Sequence, residues 1–177
     1  MVMCGAMLQL LPVLAGSPVP NPRLVAGAIH LPLVAGALLL CGGLYFSAAL
    51  LVTLAIPLLA FAFAAFLAIA IYSLARAPAR NASTQAMLLA LAALSLAVGL
   101  GLLLAAGISK LLNLPMLQLA ALHVGWGLLG WTTLLVIGVA YQVVPMFQLT
   151  SPYSRTVTRW LGSALFALML LWSCHLL

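Results

Sequence analysis

The sequence predicts an all-α protein: a polytopic transmembrane bundle of about six helices, the first one short. Three observations lead there. Of 177 residues, 67% are hydrophobic and 3% charged, where a soluble domain would be about a quarter charged. Several apolar stretches reach the roughly 20 residues a helix needs to cross a bilayer. Proline, glycine and arginine clusters separate those stretches at regular intervals.

The elements follow in order within one domain, 1–177. The first span, 2–15, stops at the breaker run GSPVPNPR. The second covers 24–44. The third, 47–75, follows an expected tight turn at Gly42-Gly43 and ends at RAPARNAST. The fourth covers 85–107. ISKLLNLP leads into the fifth, 116–147, where Pro145 is expected to fray or kink the helix. QLTSPYSRTVTR precedes the sixth, 160–177.

Charge sets orientation and excludes chemistry. The chain has six Lys+Arg and no Asp or Glu, a net charge of +6. Without carboxylates there is no carboxylate metal ligand, proton relay or acid/base pair. The scattered basic residues form no patch with interleaved aromatics, so nucleic acid is not an expected partner. Arg23, Arg76, Arg80, Arg155 and Arg159 fall in loops on one side of six antiparallel spans, and Lys110 alone on the other. The positive-inside rule makes the arginine side cytoplasmic, and a bacterial inner membrane is the expected location. Cys4, Cys41 and Cys174 have unrelated spacings, which gives neither a disulfide framework nor a zinc site.

A short repeat links the two ends of the chain. Gly5 to Pro12 and Gly138 to Pro145 both read G-x3-Q-x2-P, with Gln9 and Gln142 as the shared amides. Duplication explains the match; so would two helix ends that share an amide and a proline stop. In the second copy His123 lies fifteen residues before Gly138, an offset that from Gly5 falls upstream of Met1. The sequence therefore reads as a shortened form of a longer protein. The apolar C-terminus reads the same way.

The fifth span carries a recognisable pattern: His123, Gly130-Trp131, Gly138, Tyr141-Gln142 and Pro145. This resembles the His-x6-Gly-[Phe/Trp]-x6-Gly-x2-Tyr-[His/Gln]-x2-Pro helix of the heme-copper oxidase subunit I-like proteins, the large subunits of cytochrome oxidases and nitric oxide reductases and their smaller relatives. The resemblance covers about a quarter of the chain and implies a helical membrane fold with a histidine-ligated heme in the outer part of the bilayer. Many of those proteins carry a second histidine two positions after the first, and a polar residue two positions further on; here these places are Gly125 and Gly127. With no cluster of three histidines for copper, the chain is not expected to be a complete oxidase.

Heme requires an axial imidazole beside a flat slot. At multiples of 3.6 residues from His123 stand Gly127, Gly130, Leu134, Gly138 and Tyr141, a stripe that suits a cofactor or helix packing through small residues. His123 lies roughly 10 Å below the outer end of its helix, and His175 within roughly 8 Å of the outer face. The two become candidate axial ligands of one heme b. In the alternative, His175 simply reaches the interface. His30, near the opposite face, is assigned to the carbonyl freed by Pro32. Gln9 and Gln142 are read as snorkelling or interhelical amides. Trp160 and Tyr153 fit an interfacial belt, and Trp126 and Trp131 fit a pocket wall. Soft ligands at Met1, Met3, Cys4, Met7 and Cys174 make copper a lesser alternative.

The expected function is a heme-binding redox, sensing or assembly component. The competing readings are a cofactor-free transporter or channel bundle and a structural assembly subunit. Expected partners are the lipid bilayer, other respiratory membrane subunits and further copies meeting through Gly/Ala faces.

Overall fold

A computed structural model describes residues 2–78 and 81–176. Six helices run in order: α1 (Val2–Leu14), α2 (Pro22–Tyr45), α3 (Ala49–Ala75), α4 (Ala82–Ile108), α5 (Met116–Gln148) and α6 (Arg155–Leu176). Among the described residues there is no strand. α2 to α6 are each long and apolar enough to cross a membrane; α1, with 13 residues, is not. The protein is an all-helical membrane bundle, as its composition requires.

Two helices begin earlier than their hydrophobicity indicates, because polar caps extend them. At the start of α4, Asn81 Oδ1 accepts the Thr84 N–H at 2.8 Å, and Thr84 Oγ1 accepts the Asn81 N–H at 2.9 Å. Two donors of the first turn are thereby satisfied reciprocally. Asn81→Ala is expected to cost about 1 kcal/mol, seen as a lower unfolding midpoint in detergent with unchanged helix content. At α6 the Ser154 hydroxyl accepts the Val157 N–H at 3.4 Å, which starts the helix at Arg155.

Consecutive long helices pack antiparallel. Gly43 of α2 meets Val52 of α3, and Gly36 meets Leu59. Gly107, Gly101 and Gly138 bring α4 and α5 together at Met116, His123 and Ala86 respectively. Gly125 of α5 meets Trp172 of α6, and Leu134 meets Gly162. α4 is central: its alanines 86, 90, 93 and 97 are buried, with Met87 and Leu91 beside them. Small residues let backbones approach, which supplies the dispersion contact that replaces the hydrophobic drive between helices in lipid.

Three expectations are corrected. Gly42 and Gly43 lie inside α2, and the chain turns later, at 46–48, where Ser47 takes φ +53°. Gly43 is needed for close approach, not for turning. α5 is not interrupted at Pro145, which sits three residues from its end; the helix stops at Leu149 in the left-handed region. Its irregularity is a π turn at Trp126–Thr132, where the Thr132 and Thr133 hydroxyls donate to the carbonyls of Gly127 and Leu128, five residues back. That wider turn also splits the expected glycine stripe. Gly130 and Gly138 face Ala93 and Ala86 of α4, whereas Gly127 has open space beside it.

Both copies of the G-x3-Q-x2-P repeat close a helix, with Pro12 two residues before the end of α1 and Pro145 three before the end of α5. The antiparallel packing puts Arg23, Arg76, Arg155 and Arg159 at one end of the bundle and Lys110 at the other. Arg80 lies outside the described residues. Arg76 stacks on Tyr72 at 4.5 Å and Arg159 on Trp160 at 5.5 Å.

Candidate functional site

His123 is held by α4. Its Nδ1 lies 2.8 Å from the Ala97 carbonyl oxygen. A carbonyl can only accept, so Nδ1 carries the proton and donates. In the neutral ring Nε2 then keeps its lone pair, and among the described residues it has no hydrogen-bond partner. The ring rests against Gly101, where an added methyl group would come within 2.8 Å of Cε1 and 3.1 Å of Nδ1. Glycine is therefore required on α4 for the imidazole to fit. An Nδ1–H to a backbone carbonyl, with Nε2 free, is the support arrangement that metal-binding histidines use.

His175 is placed differently. The Gly125–Trp172 contact aligns α5 with α6. His123 is two residues outward from that contact and His175 three, so the two differ in depth by only about one helical rise, ~1.5 Å. Rotation separates them. Two residues on a helix are about 200° apart, so His123 points away from the face where Gly125 receives α6. The seam between α5 and α6 is filled. Trp172 covers Gly125, the Trp126 indole N–H donates to Ser173 Oγ at 2.9 Å, and Trp126 packs edge-on to Phe166. His175 is exposed on the last turn of α6. By residue count the two histidines stand at similar depth, and the face of α5 that meets α6 at Gly125 is not the face that carries His123.

The remaining strip beside His123 is open. At the Val2 end of α1, the Thr132 hydroxyl contacts the Met3 sulfur at 3.7 Å. One π turn outward stands Gly127 with nothing within 4 Å of an added Cβ, and one turn beyond it is His123. Gly127 thus presents an uncovered backbone on the α5 surface one turn from His123.

The other candidates are placed as follows. Trp126 and Trp131 are buried in the core, Trp131 edge-on to Phe66. Cys4 and Met7 are buried with them, while Cys41 and Cys174 are exposed thiols. Met1 lies outside the described residues. Among the described residues no group of three His, Cys, Asp or Glu side chains converges. Gln142 does not snorkel: its Oε1 is buried and unpaired among the described residues. His30 is also reassigned. Pro32 frees the carbonyl of Ala28, but His30 lies two residues on, about 200° around the helix. Among the described residues it makes no hydrogen bond, and it lines a groove instead.

That groove was not expected. It measures about 800 Å³, lies between α1 and α2 above Phe66, and includes Gln9, Arg23 and His30 in a largely apolar wall. The i, i+7 spacing of Arg23 and His30 was the available signal for one shared face. What hid the groove was the placement of α1, which no local pattern encodes. Compared with protein-family models, with characterised proteins and with solved structures, the chain finds no match.

Proposed function

We propose that this chain is a membrane-embedded heme-binding protein of the heme-copper oxidase subunit I-like kind, serving redox transfer, sensing or assembly and not forming a complete oxidase. The observation that carries the reading is His123: an imidazole in a membrane helix whose Nδ1–H is tied to Ala97 O at 2.8 Å, leaving Nε2 as a lone-pair donor. Gly127, one turn away, supports it in so far as no neighbouring side chain covers its backbone. Heme, when bound, supplies the one-electron or gas-binding chemistry. The chain's own part is to ligate through His123, to fix the ring's orientation through Ala97, and to keep water out with apolar helices. His175 has matching depth, but the reading rests on His123 alone.

The test is an absorption spectrum of the protein purified from cells supplied with heme precursor. A Soret band is expected, abolished in His123→Ala and retained in His175→Ala. A wild-type protein without a Soret band overturns the proposal. Loss of the band in both variants restores the two-histidine site.

A further inference from the structure

We infer that the groove between α1 and α2 binds an anionic phospholipid, with Arg23 on the phosphate and one acyl chain lying along Leu8, Ile29, Leu33 and Phe66. The inference begins with Arg23. The chain contains no Asp or Glu, so no acidic side chain can serve Arg23 as counter-ion. Arg76 and Arg159 each stack on an aromatic ring; among the described residues Arg23 has no such partner. Its guanidinium is free for an outside anion, and its fork of donors suits a phosphate.

Depth identifies what kind of anion. α2 has 24 residues, roughly 36 Å of helix against a hydrocarbon core of about 30 Å. Arg23, the second residue of α2, therefore lies at headgroup level. His30 is seven residues further on the same face, roughly 10 Å deeper. There its ring lies within the hydrocarbon layer, beside the upper part of an acyl chain. Beyond it the wall is apolar.

Space agrees with this layering. The groove of about 800 Å³ is not enclosed, as a chain entering from the bilayer requires. A second hollow, bounded by Asn21, Pro22, Arg23 and Leu24, shares Arg23 with it. One hollow suits the headgroup and the other the chain. Gly5 and Gly27 line the groove, and each has nothing within 4 Å of an added Cβ, so the walls are held apart and not packed through these glycines. A soluble phosphate would use the guanidinium and leave the apolar length empty.

The test uses the full chain, delipidated in detergent, with native mass spectrometry and thermal stability read in parallel. Phosphatidylglycerol is compared with phosphatidylcholine of the same chains and with inorganic phosphate. Wild-type protein is expected to retain one phosphatidylglycerol about tenfold more tightly than phosphatidylcholine and to ignore inorganic phosphate. Arg23→Gln should abolish that preference. Gly27→Trp, which fills the open space, should abolish retention of either lipid while helix content is kept. Equal retention of the two lipids by wild type, equal stabilisation by inorganic phosphate, or unchanged retention in Gly27→Trp overturns the inference. A change of oligomeric state in Gly27→Trp without a change in lipid gives the groove to a second helix and overturns it too. None of these readouts involves heme, so this inference and the heme reading stand or fall separately.

Discussion

Gly43→Val is expected to disrupt the α2–α3 hairpin and to lower the unfolding midpoint more than any neighbouring exchange. A Cβ at Gly43 would sit 2.7 Å from Val52 Cγ2 and 2.9 Å from the Val52 backbone nitrogen. The side chain could rotate, but the backbone atom cannot yield without parting the helices. Overpacking of this kind costs about 1–3 kcal/mol when side chains can shift, and more when backbone must move. Against a typical total of 5–15 kcal/mol, that is a large fraction. Gly42 is the internal control: its added Cβ would meet only Leu51 Cδ1 at 3.7 Å, an ordinary contact. Thermal melts of the two variants in one detergent should separate clearly. Equal melts would mean that the hairpin is not held by this close approach.

The second large effect is expected at Gly101. Gly101→Val drives a side chain into the His123 ring, already 2.8 Å from a single added Cβ. The imidazole must leave the Ala97 carbonyl. Loss of one interhelical hydrogen bond in a membrane costs about 0.6 kcal/mol on average, so most of the stability penalty comes from overpacking. On the proposed heme reading the functional penalty is greater, because a displaced ring no longer presents Nε2 in a fixed direction. Gly101→Val is expected to lose heme as His123→Ala does. Gly99→Val, where an added Cβ meets nothing within 4 Å, should keep it. Heme-to-protein ratios across the two glycine variants give the answer. Full heme in Gly101→Val would detach ligation from the orientation of His123.

Most of the fold was legible because the bilayer imposes a length rule that sequence obeys locally. Runs near twenty apolar residues between Pro, Gly and Arg marked every long helix, and errors arose where local chemistry overrode hydrophobicity. Asn81 and Ser154 extend α4 and α6 through hydrogen bonds that hydropathy ignores. The π turn at Trp126–Thr132 depends on hydroxyls five residues from their acceptors, a spacing that the 3.6-residue stripe could not register. The surroundings of the candidate residues were less legible than the helices. His123 stood out as an imidazole in an apolar helix, and its depth relative to His175 followed from counting residues. Its direction did not, because rotation about the helix axis is set by which face the neighbours occupy. His30 was misjudged for the same reason: its proximity in sequence to Pro32 said nothing about the groove that α1 opens beside it.

The widened turn has a mechanical consequence. In a regular helix a twist applied at one end passes to the other, since each carbonyl is fastened four residues ahead. Between Trp126 and Thr132 the fastening reaches five residues and is shared with two hydroxyls. The outer ten residues of α5, His123 among them, are therefore indexed to α4 by their own contacts and not by the inner half. The direction of the imidazole is thereby set beside Ala97 and Gly101, at the outer end, whatever seats Tyr141 and Pro145 at the inner one.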